Sequence, residues 1–142
     1  MSVLASKRNQ SEIQYIQTAK ELQTLMFDLV TRCPKRYSVY LCEELFRLAS
    51  EVHKQVRAAN TIYPTNAHEV QMRKDHLIRA RQALGNIDPY LELMYNLLSK
   101  NRDQYPWRES KIMAIAELID KEFKLIAGVM QSDKERYKAL TE

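Results

Sequence analysis

The stretch that decides the fold is residues 70–98, VQMRKDHLIRARQALGNIDPYLELMYNLL. Its seam positions recur in alternating steps of three and four, as one face of an α-helix requires. The seam consists of Val70, Arg73, Leu77, Ala80, Leu84, Ile87, Leu91, Met94 and Leu98. This period predicts a long helix that packs against its neighbours at a shallow angle, as in a bundle. Because the seam keeps its phase across Gly85 and Pro89, we expect one kinked helix rather than two.

Two further amphipathic helices are predicted before this stretch. The first runs from about Ser11, a plausible N-cap, to Thr31, and Pro34 ends it because proline has no N–H to donate. The second is expected to start with Ser38 as its cap and to end at Asn60, a residue type that tolerates helix C-termini. Short connections between such helices are typical of antiparallel neighbours.

The chain on either side of the predicted long helix completes the pattern. Asn66 is expected to cap that helix, after a linker over residues 61–65. A polar loop follows at 101–105, and Pro106 suits the first turn of a fourth helix, whose apolar stripe ends at Met130. Residues 132–137, SDKERY, indicate a stop and then a charged tail. The sequence therefore predicts an all-α, antiparallel up-down-up-down four-helix bundle over residues 11–131, with a flexible N-terminus at 1–10 and a charged C-terminal tail at 132–142.

Composition agrees with one helical domain. The 142 residues are 45% hydrophobic, which is enough to bury a core, and two Gly and four Pro are too few for a turn-rich β fold. No segment has the length of a signal peptide or a membrane span, so we expect a cytoplasmic protein with no membrane partner. In that reducing compartment Cys33 and Cys42 are expected to be free thiols.

The positive charge is unevenly distributed. The formal net charge is +4, yet residues 32–81 alone carry ten Lys/Arg against five Asp/Glu. A local excess of this kind suits a polyanionic partner. The excess includes the break between the first two helices, where Arg32, Lys35 and Arg36 lie beside Tyr37. Such a corner can contact phosphates and stack on a base, or it can simply be a solvated turn.

The second and third helices carry the remaining basic residues. These are Arg47, Lys54 and Arg57 on the second helix, and Arg73, Lys74, Arg79 and Arg81 on the third. If the two helices are adjacent, they could build one positive face that contacts phosphates without reading sequence. Arg73 differs from the others because it occupies a seam position, which suggests either a buried ion pair or a subunit contact. Glu43, Glu44 and Glu51 dilute the positive charge of the second helix.

Motifs for catalysis or metal binding are missing from the sequence. The three His residues have no Glu three residues before them and do not fit metal-finger spacings, and no phosphate-cradling glycine loop or nucleophile elbow is present. His76 and Asp75 are adjacent on a helix, so they do not face one another. We therefore expect no enzyme activity, no catalytic residues, no metal and no cofactor.

Three short motifs carry a resemblance to a known family. They are Pro34-Lys-Arg-Tyr37, Ala59-Asn60 followed by Ile62-Tyr-Pro64, and Arg73-x-x-His76-Leu-Ile-x-Ala80. Over residues 11–137 the chain resembles the four-helix-bundle family of ribosomal intervening-sequence proteins and the accessory variability determinant proteins of diversity-generating retroelements. The first three residues and the segment 132–137 look like a bacterial or phage branch of it.

The resemblance implies a non-catalytic accessory protein. It implies a ring-like homo-oligomer, a pentamer, which binds a reverse transcriptase and its RNA or cDNA through a basic surface. The candidate nucleic-acid-binding residues are Arg32, Lys35, Arg36, Tyr37, Arg47, Lys54, Arg57, Arg73, Lys74, Arg79 and Arg81. The alternative is a protein-only scaffold of a mobile element or phage, which would bind its partners through aromatic and apolar side chains.

Overall fold

The computed structural model describes the backbone of residues 3–142 and the side chains of residues 13–142. The four long helices are α1 (Val3–Arg32), α2 (Glu43–Asn60), α3 (Ala67–Ser99) and α4 (Arg108–Arg136), and a short α5 (Lys138–Thr141) follows. Within the described backbone there is no β-strand. The predicted all-α class is therefore confirmed.

The long helices pack in a bundle-like arrangement. Helix α1 contacts α2 and α4, and α3 contacts the same two helices. Cys33, just after α1, approaches Met94 near the end of α3, with its Sγ 3.5 Å from Sδ. At the other end of the molecule, Arg73 near the start of α3 reaches Asp133 near the end of α4. These two contacts define a corner end, which holds the α1–α2 connection, and an opposite end.

The seam that was predicted in residues 70–98 faces the core. Every seam position from Arg73 to Leu98 is buried, and Val70 is half-buried. Helix α3 continues through Pro89 as one helix, as expected. Pro89 is exposed, so its ring and the carbonyl it leaves unbonded lie on the solvent side, where water can satisfy that carbonyl.

The predicted cap of α3 is also confirmed. The Asn66 side chain accepts a hydrogen bond from the Glu69 N–H at 2.9 Å, and Glu69 Oε1 accepts one from the Thr65 N–H at 3.1 Å. This reciprocal arrangement resembles a capping box and satisfies backbone donors at a helix start. The Thr65 hydrogen bonds lower the pKa of Glu69, so the carboxylate that completes the cap stays ionised.

Two N-terminal boundaries differ from the prediction. Helix α1 begins at Val3 rather than near Ser11, because no proline or glycine in residues 3–12 interrupts it. Ser38 is not a cap: it has helical angles (φ −57°, ψ −55°) and begins a π-helical turn over Ser38–Cys42, which leads directly into α2. The flexibility predicted for residues 1–10 concerns residues whose side chains lie outside the described part.

The C-terminal boundaries differ as well. Pro106 lies in a turn before α4, which begins at Arg108, so it precedes the helix instead of occupying its first turn. Helix α4 also does not stop at residue 131 but continues to Arg136. The reason is tertiary: Asp133 is buried against Arg73, and this contact holds the last turns of α4 on the bundle.

Neither cysteine forms a disulfide, as predicted. Cys33 is half-buried and Cys42 is buried, and both are free thiols. Burial, with a contribution from Cys42, raises the pKa of Cys33 to about 12, so this thiol is unreactive at neutral pH. None of the helices within residues 3–142 combines the length and the hydrophobicity needed to cross a bilayer.

Candidate nucleic-acid interface

The corner between α1 and α2 is held by backbone geometry. Pro34 has an extended conformation (φ −56°, ψ 142°) that ends α1, and its carbonyl accepts the Tyr37 N–H at 3.0 Å. Residues Lys35–Tyr37 form a single 3₁₀ turn, which the π-helical turn follows. A tight 3₁₀ turn and a wider π-helical turn therefore follow one another directly, and they set the direction in which the side chains of the corner project.

Lys35 and Arg36 are exposed, while Tyr37 is half-buried and packs against the core. Arg36 Nη2 donates a hydrogen bond to the Tyr37 hydroxyl at 3.2 Å, and its guanidinium lies 5.1 Å from the centre of that ring. This cation–π contact orients the guanidinium and leaves most of its N–H donors free to bind a phosphate. Among the described residues, no carboxylate pairs with Lys35 or Arg36.

Arg32 belongs to a different local environment. Its Nε donates to both carboxylate oxygens of Asp28, at 3.2 and 3.1 Å, and the same carboxylate accepts Lys111 of α4 at 3.1 Å. Hydrogen bonds from Arg32 and Lys111 lower the pKa of Asp28, so this carboxylate remains charged well below neutral pH. Arg32 is therefore partly neutralised and contributes less to the positive corner than Lys35 or Arg36.

The basic residues of α2 are exposed at neighbouring positions of the helix surface. Arg47 binds Glu44 through two hydrogen bonds, of 2.9 and 2.6 Å. The Glu44 carboxylate, and more weakly Glu51 and Tyr90, raise the pKa of Arg47. Lys54, two turns later, lies on the same side of the helix as Arg47, and Arg57 neighbours Lys54 three residues further on. Burial lowers the pKa of His53, and the charges of Arg57 and Lys20 lower it further.

Arg73 is not part of an exposed basic surface. It is 2% exposed, its Nε donates to Asp133 Oδ2 at 2.6 Å, and Nη2 donates to Oδ1 at 3.3 Å. Nη1 donates to the Ala59 carbonyl at 3.0 Å and the Ile62 carbonyl at 3.3 Å. Of the two roles that its seam position suggested, the structure shows the buried ion pair. Arg73, which the sequence analysis placed among the nucleic-acid-binding residues, is therefore left out of the proposed phosphate contacts, because its guanidinium is enclosed and is held by Asp133 and two backbone carbonyls.

The other basic residues of α3 are exposed but separated. Arg81 Nη1 lies 3.9 Å from Met130 Sδ of α4, and Lys74, seven residues earlier, lies on the same side. Arg79 follows three residues after His76, whose Nδ1 is 2.6 Å from Gln55 Oε1 of α2, so it faces α2. Arg79 thus lies toward α2, whereas Lys74 and Arg81 lie toward α4. On α3 the predicted basic residues are divided between two sides of the helix.

Val39 and Tyr40 are not among the residues that the sequence predicts for nucleic-acid binding. Val39 is 66% exposed and Tyr40 is 86% exposed, although both are large and partly or wholly apolar. Their exposure could have been predicted from the sequence, because both residues fall outside the apolar stripe of α2, which begins at Leu41 and continues through Leu45 and Leu48. The π-helical turn places Ser38, Val39 and Tyr40 consecutively on the surface, beside the basic pair.

A cleft of about 360 Å³ adjoins the corner. Its walls are largely apolar and include Phe27, Val30, Pro34 and Phe46, and Lys35 also lines it. The rings of Phe27 and Phe46 meet edge to face, with centroids 5.8 Å apart. The corner therefore combines two exposed cations without a carboxylate partner among the described residues, an exposed tyrosine and an aromatic cleft within one short region.

Among residues 13–142, no cluster of three or more His, Cys, Asp or Glu side chains could hold a metal ion. Glu122 of α4 is fully buried, neither of its carboxylate oxygens has a hydrogen-bond partner within the described part, and burial raises its pKa to about 8.

The chain matches no protein-family model, no curated protein and no solved structure. The corner thus remains the best candidate for a functional surface on physical grounds.

Proposed function

We propose that this protein is a non-catalytic accessory protein that binds RNA or cDNA through its basic corner. The observation that carries the proposal is the exposed pair Lys35–Arg36, which lies on the 3₁₀ turn without any carboxylate partner among the described residues. Contacts of this kind gain affinity from neutralising phosphates and releasing counterions. The protein partner we propose is a reverse transcriptase, as the resemblance implies.

The arrangement of the helices supports the scaffold that such a role needs. Contacts follow the order α1–α2–α3–α4 and close between α4 and α1, as expected for an antiparallel up-down-up-down bundle. We include a ring-like homo-oligomer, a pentamer, in the proposal because of the family resemblance. Multi-angle light scattering on the purified protein would give its mass directly, and a monomer at all concentrations would contradict the ring.

Charge reversal at the corner tests nucleic-acid binding. The variant Lys35→Glu/Arg36→Glu is expected to lower affinity for a single-stranded RNA at least tenfold at low salt, because two attractive phosphate contacts become repulsive. Each lost contact should also reduce the slope of log affinity against log salt by about 0.7. Fluorescence anisotropy from about 50 to about 200 mM salt measures both quantities.

Lys124→Glu/Lys134→Glu is the matched control, since it changes the formal charge equally at two exposed positions of α4. It should retain most of the affinity. Equal losses in the two variants would mean that net charge, and not the corner, governs binding, and the assignment of the corner would be wrong.

A second candidate function rests on a groove between α3 and α4. This groove, of about 350 Å³, is lined by Leu91, Ile112 and Met113, and three carboxylates also line it: Asp88, Glu92 and Glu109. Met113 is 53% exposed, and the carboxylates would repel phosphates. The groove favours a protein partner with apolar and basic side chains, as in the protein-only scaffold. Absence of RNA binding even at low salt, with a reverse transcriptase or other purified partner retained at high salt, would favour this second function.

A further inference from the structure

We propose that the cleft beside the corner receives an unpaired nucleobase, so that the ligand is a single strand and not a duplex. This inference rests on the proposed nucleic-acid binding and specifies which form is bound. The cleft lies between the end of α1 and the π-helical turn, and its volume is about 360 Å³. Ligand-sized clefts in proteins begin at about 300 Å³, so there is room for one planar base.

The walls of the cleft match the flat, weakly polar faces of a base. Phe27 and Phe46 supply two aromatic rings, and Val30 and Pro34 supply aliphatic contact. Phe27 is 57% exposed even though it is a large apolar residue, and it lies in the last two turns of α1. Stacking on aromatic side chains is the usual way in which proteins hold unpaired bases, and it does not depend on base identity.

The polar groups at the cleft fit the other parts of a nucleotide. Lys35 lines the cleft and Arg36 follows it directly, so the phosphates on either side of an inserted base would meet two cations. Ser38 and the Glu43 carboxylate also line the cleft, and they offer hydrogen-bonding groups to a base edge. Because Glu43 would repel a phosphate, the base is the part of the nucleotide that enters, and the backbone stays at the cationic rim.

Tyr40 offers a stacking surface for a second base. Its ring is 86% exposed and lies on the π-helical turn, five residues from Lys35. Tyr40 is not among the residues that line the cleft, so the base that stacks on its ring is a second one, outside the cleft, which a single strand can turn outward. In a duplex both faces of each base are occupied by neighbours and the base edges are paired. The geometry therefore excludes duplexes from the cleft and leaves them only phosphate contacts.

Affinities for matched single strands and duplexes test the proposal. The probes are a labelled RNA of about 15 nucleotides, the DNA of the same sequence, and the duplex of each. Single-stranded RNA and single-stranded DNA should bind at least tenfold more tightly than either duplex. Since one stacked base contributes about 1–3 kcal/mol, Phe27→Ala and Tyr40→Ala should each weaken single-strand binding about 5- to 150-fold and leave duplex binding unchanged.

Tyr63→Ala is the control, because Tyr63 is 77% exposed in the linker between α2 and α3, away from the cleft. It should bind single strands as the parent protein does. A second readout does not depend on affinity: the emission of 2-aminopurine placed within the DNA strand should change on binding, and Phe27→Ala should remove part of that change.

The outcomes separate this inference from the proposed function. Salt-sensitive binding that does not distinguish single strands from duplexes, and that Phe27→Ala and Tyr40→Ala leave intact, would overturn the base cleft while the basic corner stands. If the parent protein binds neither RNA nor DNA, both the base cleft and the basic corner are overturned. Each variant must give a circular dichroism spectrum like that of the parent. If a variant fails to fold, the change in 2-aminopurine emission on binding to the parent protein tests whether a base enters the cleft.

Discussion

At the level of single residues, Arg73 and Glu122 are buried ionisable groups with opposite environments. Arg73 is enclosed, but a carboxylate and two backbone carbonyls accept its hydrogen bonds, so its charge is compensated. Glu122 is fully buried with no hydrogen-bond partner among the described residues. It lies three turns after Lys111, which binds Asp28 of α1, so it occupies the side of α4 that faces α1. A carboxyl group in that environment is favoured in its neutral form.

The Glu122 carboxyl should make the protein less stable as the pH rises. Its pKa is raised from 4.5 to about 8, mainly by burial, so the folded state holds a proton that the unfolded state releases. The contribution of Glu122 to the free energy of unfolding is therefore greatest below about pH 4.5 and decreases as the pH rises toward 8. Glu122→Gln should remove that decrease and stabilise the protein by about 2–5 kcal/mol at pH 9.

Denaturant unfolding of the two proteins between about pH 5 and about pH 9 measures this difference. Glu117→Gln, at an exposed position of the same helix, is the control and should follow the parent curve. If Glu122→Gln and the parent protein lose stability in parallel as the pH rises, then ionisation of Glu122 does not lower the free energy of unfolding, and burial does not raise its pKa.

At the level of elements, α3 is stabilised by a capped N-terminus and by an uninterrupted seam that packs against the core. Asn66 and Glu69 exchange hydrogen bonds with backbone donors at its N-terminus, and the seam then continues for the length of the helix. The connection between α1 and α2 works differently. There, Pro34 ends one helix, and a 3₁₀ turn and a π-helical turn lead into the next without a side-chain cap. The corner is therefore a product of backbone geometry.

Removal of the Asn66 cap should destabilise the protein moderately. Asn66→Ala is expected to cost about 1 kcal/mol, because the Glu69 N–H loses its acceptor at the start of a long helix. Asn66→Asp should restore most of the stability, since a carboxylate is an equally good cap and also suits the positive end of the helix dipole.

Thermal unfolding followed by circular dichroism can resolve this effect. Asn86→Ala is the comparison, because Asn86 is an exposed residue inside the same helix, and it should be neutral or slightly stabilising. A melting temperature for Asn66→Ala equal to that of the parent would show that water replaces the cap without cost.

At the level of the whole molecule, the Arg73–Asp133 pair joins three parts of the chain at the end opposite the corner. It connects the start of α3 to the end of α4, and the same guanidinium holds the end of α2 and the following linker through the Ala59 and Ile62 carbonyls. Breaking one partner of a buried pair leaves an uncompensated charge, which is more damaging than replacing both partners by apolar residues.

Asp133→Ala should therefore destabilise the protein by about 3–5 kcal/mol, and Arg73→Met/Asp133→Leu should recover much of that loss. Urea unfolding gives both values. Arg81→Met, an exposed arginine of the same helix, should change the stability by less than about 0.5 kcal/mol. An Asp133→Ala variant as stable as the parent would contradict the role given to the pair.

Much of the fold could be predicted because its determinants are local. The seam of residues 70–98 and the Asn66 cap depend on residues a few positions apart, and Pro34 ends a helix wherever it occurs, so periodicity and backbone chemistry sufficed. For the same reason the corner with Lys35 and Arg36 was visible in the sequence as a break that carries charge.

Tertiary contacts decided what those local rules leave open. Arg73 has the spacing of a seam residue, but only the approach of Asp133 makes it an internal ion pair rather than a surface cation. The same contact extends α4 through the segment that predicted a stop. The division of the basic residues of α3 depends on which helix lies beside each one, and the exposure of Val39 and Tyr40 depends on a π-helical turn. Sequence spacing determines which residues share one face of a helix. What that face contacts is determined by packing between distant segments, which only the three-dimensional structure contains.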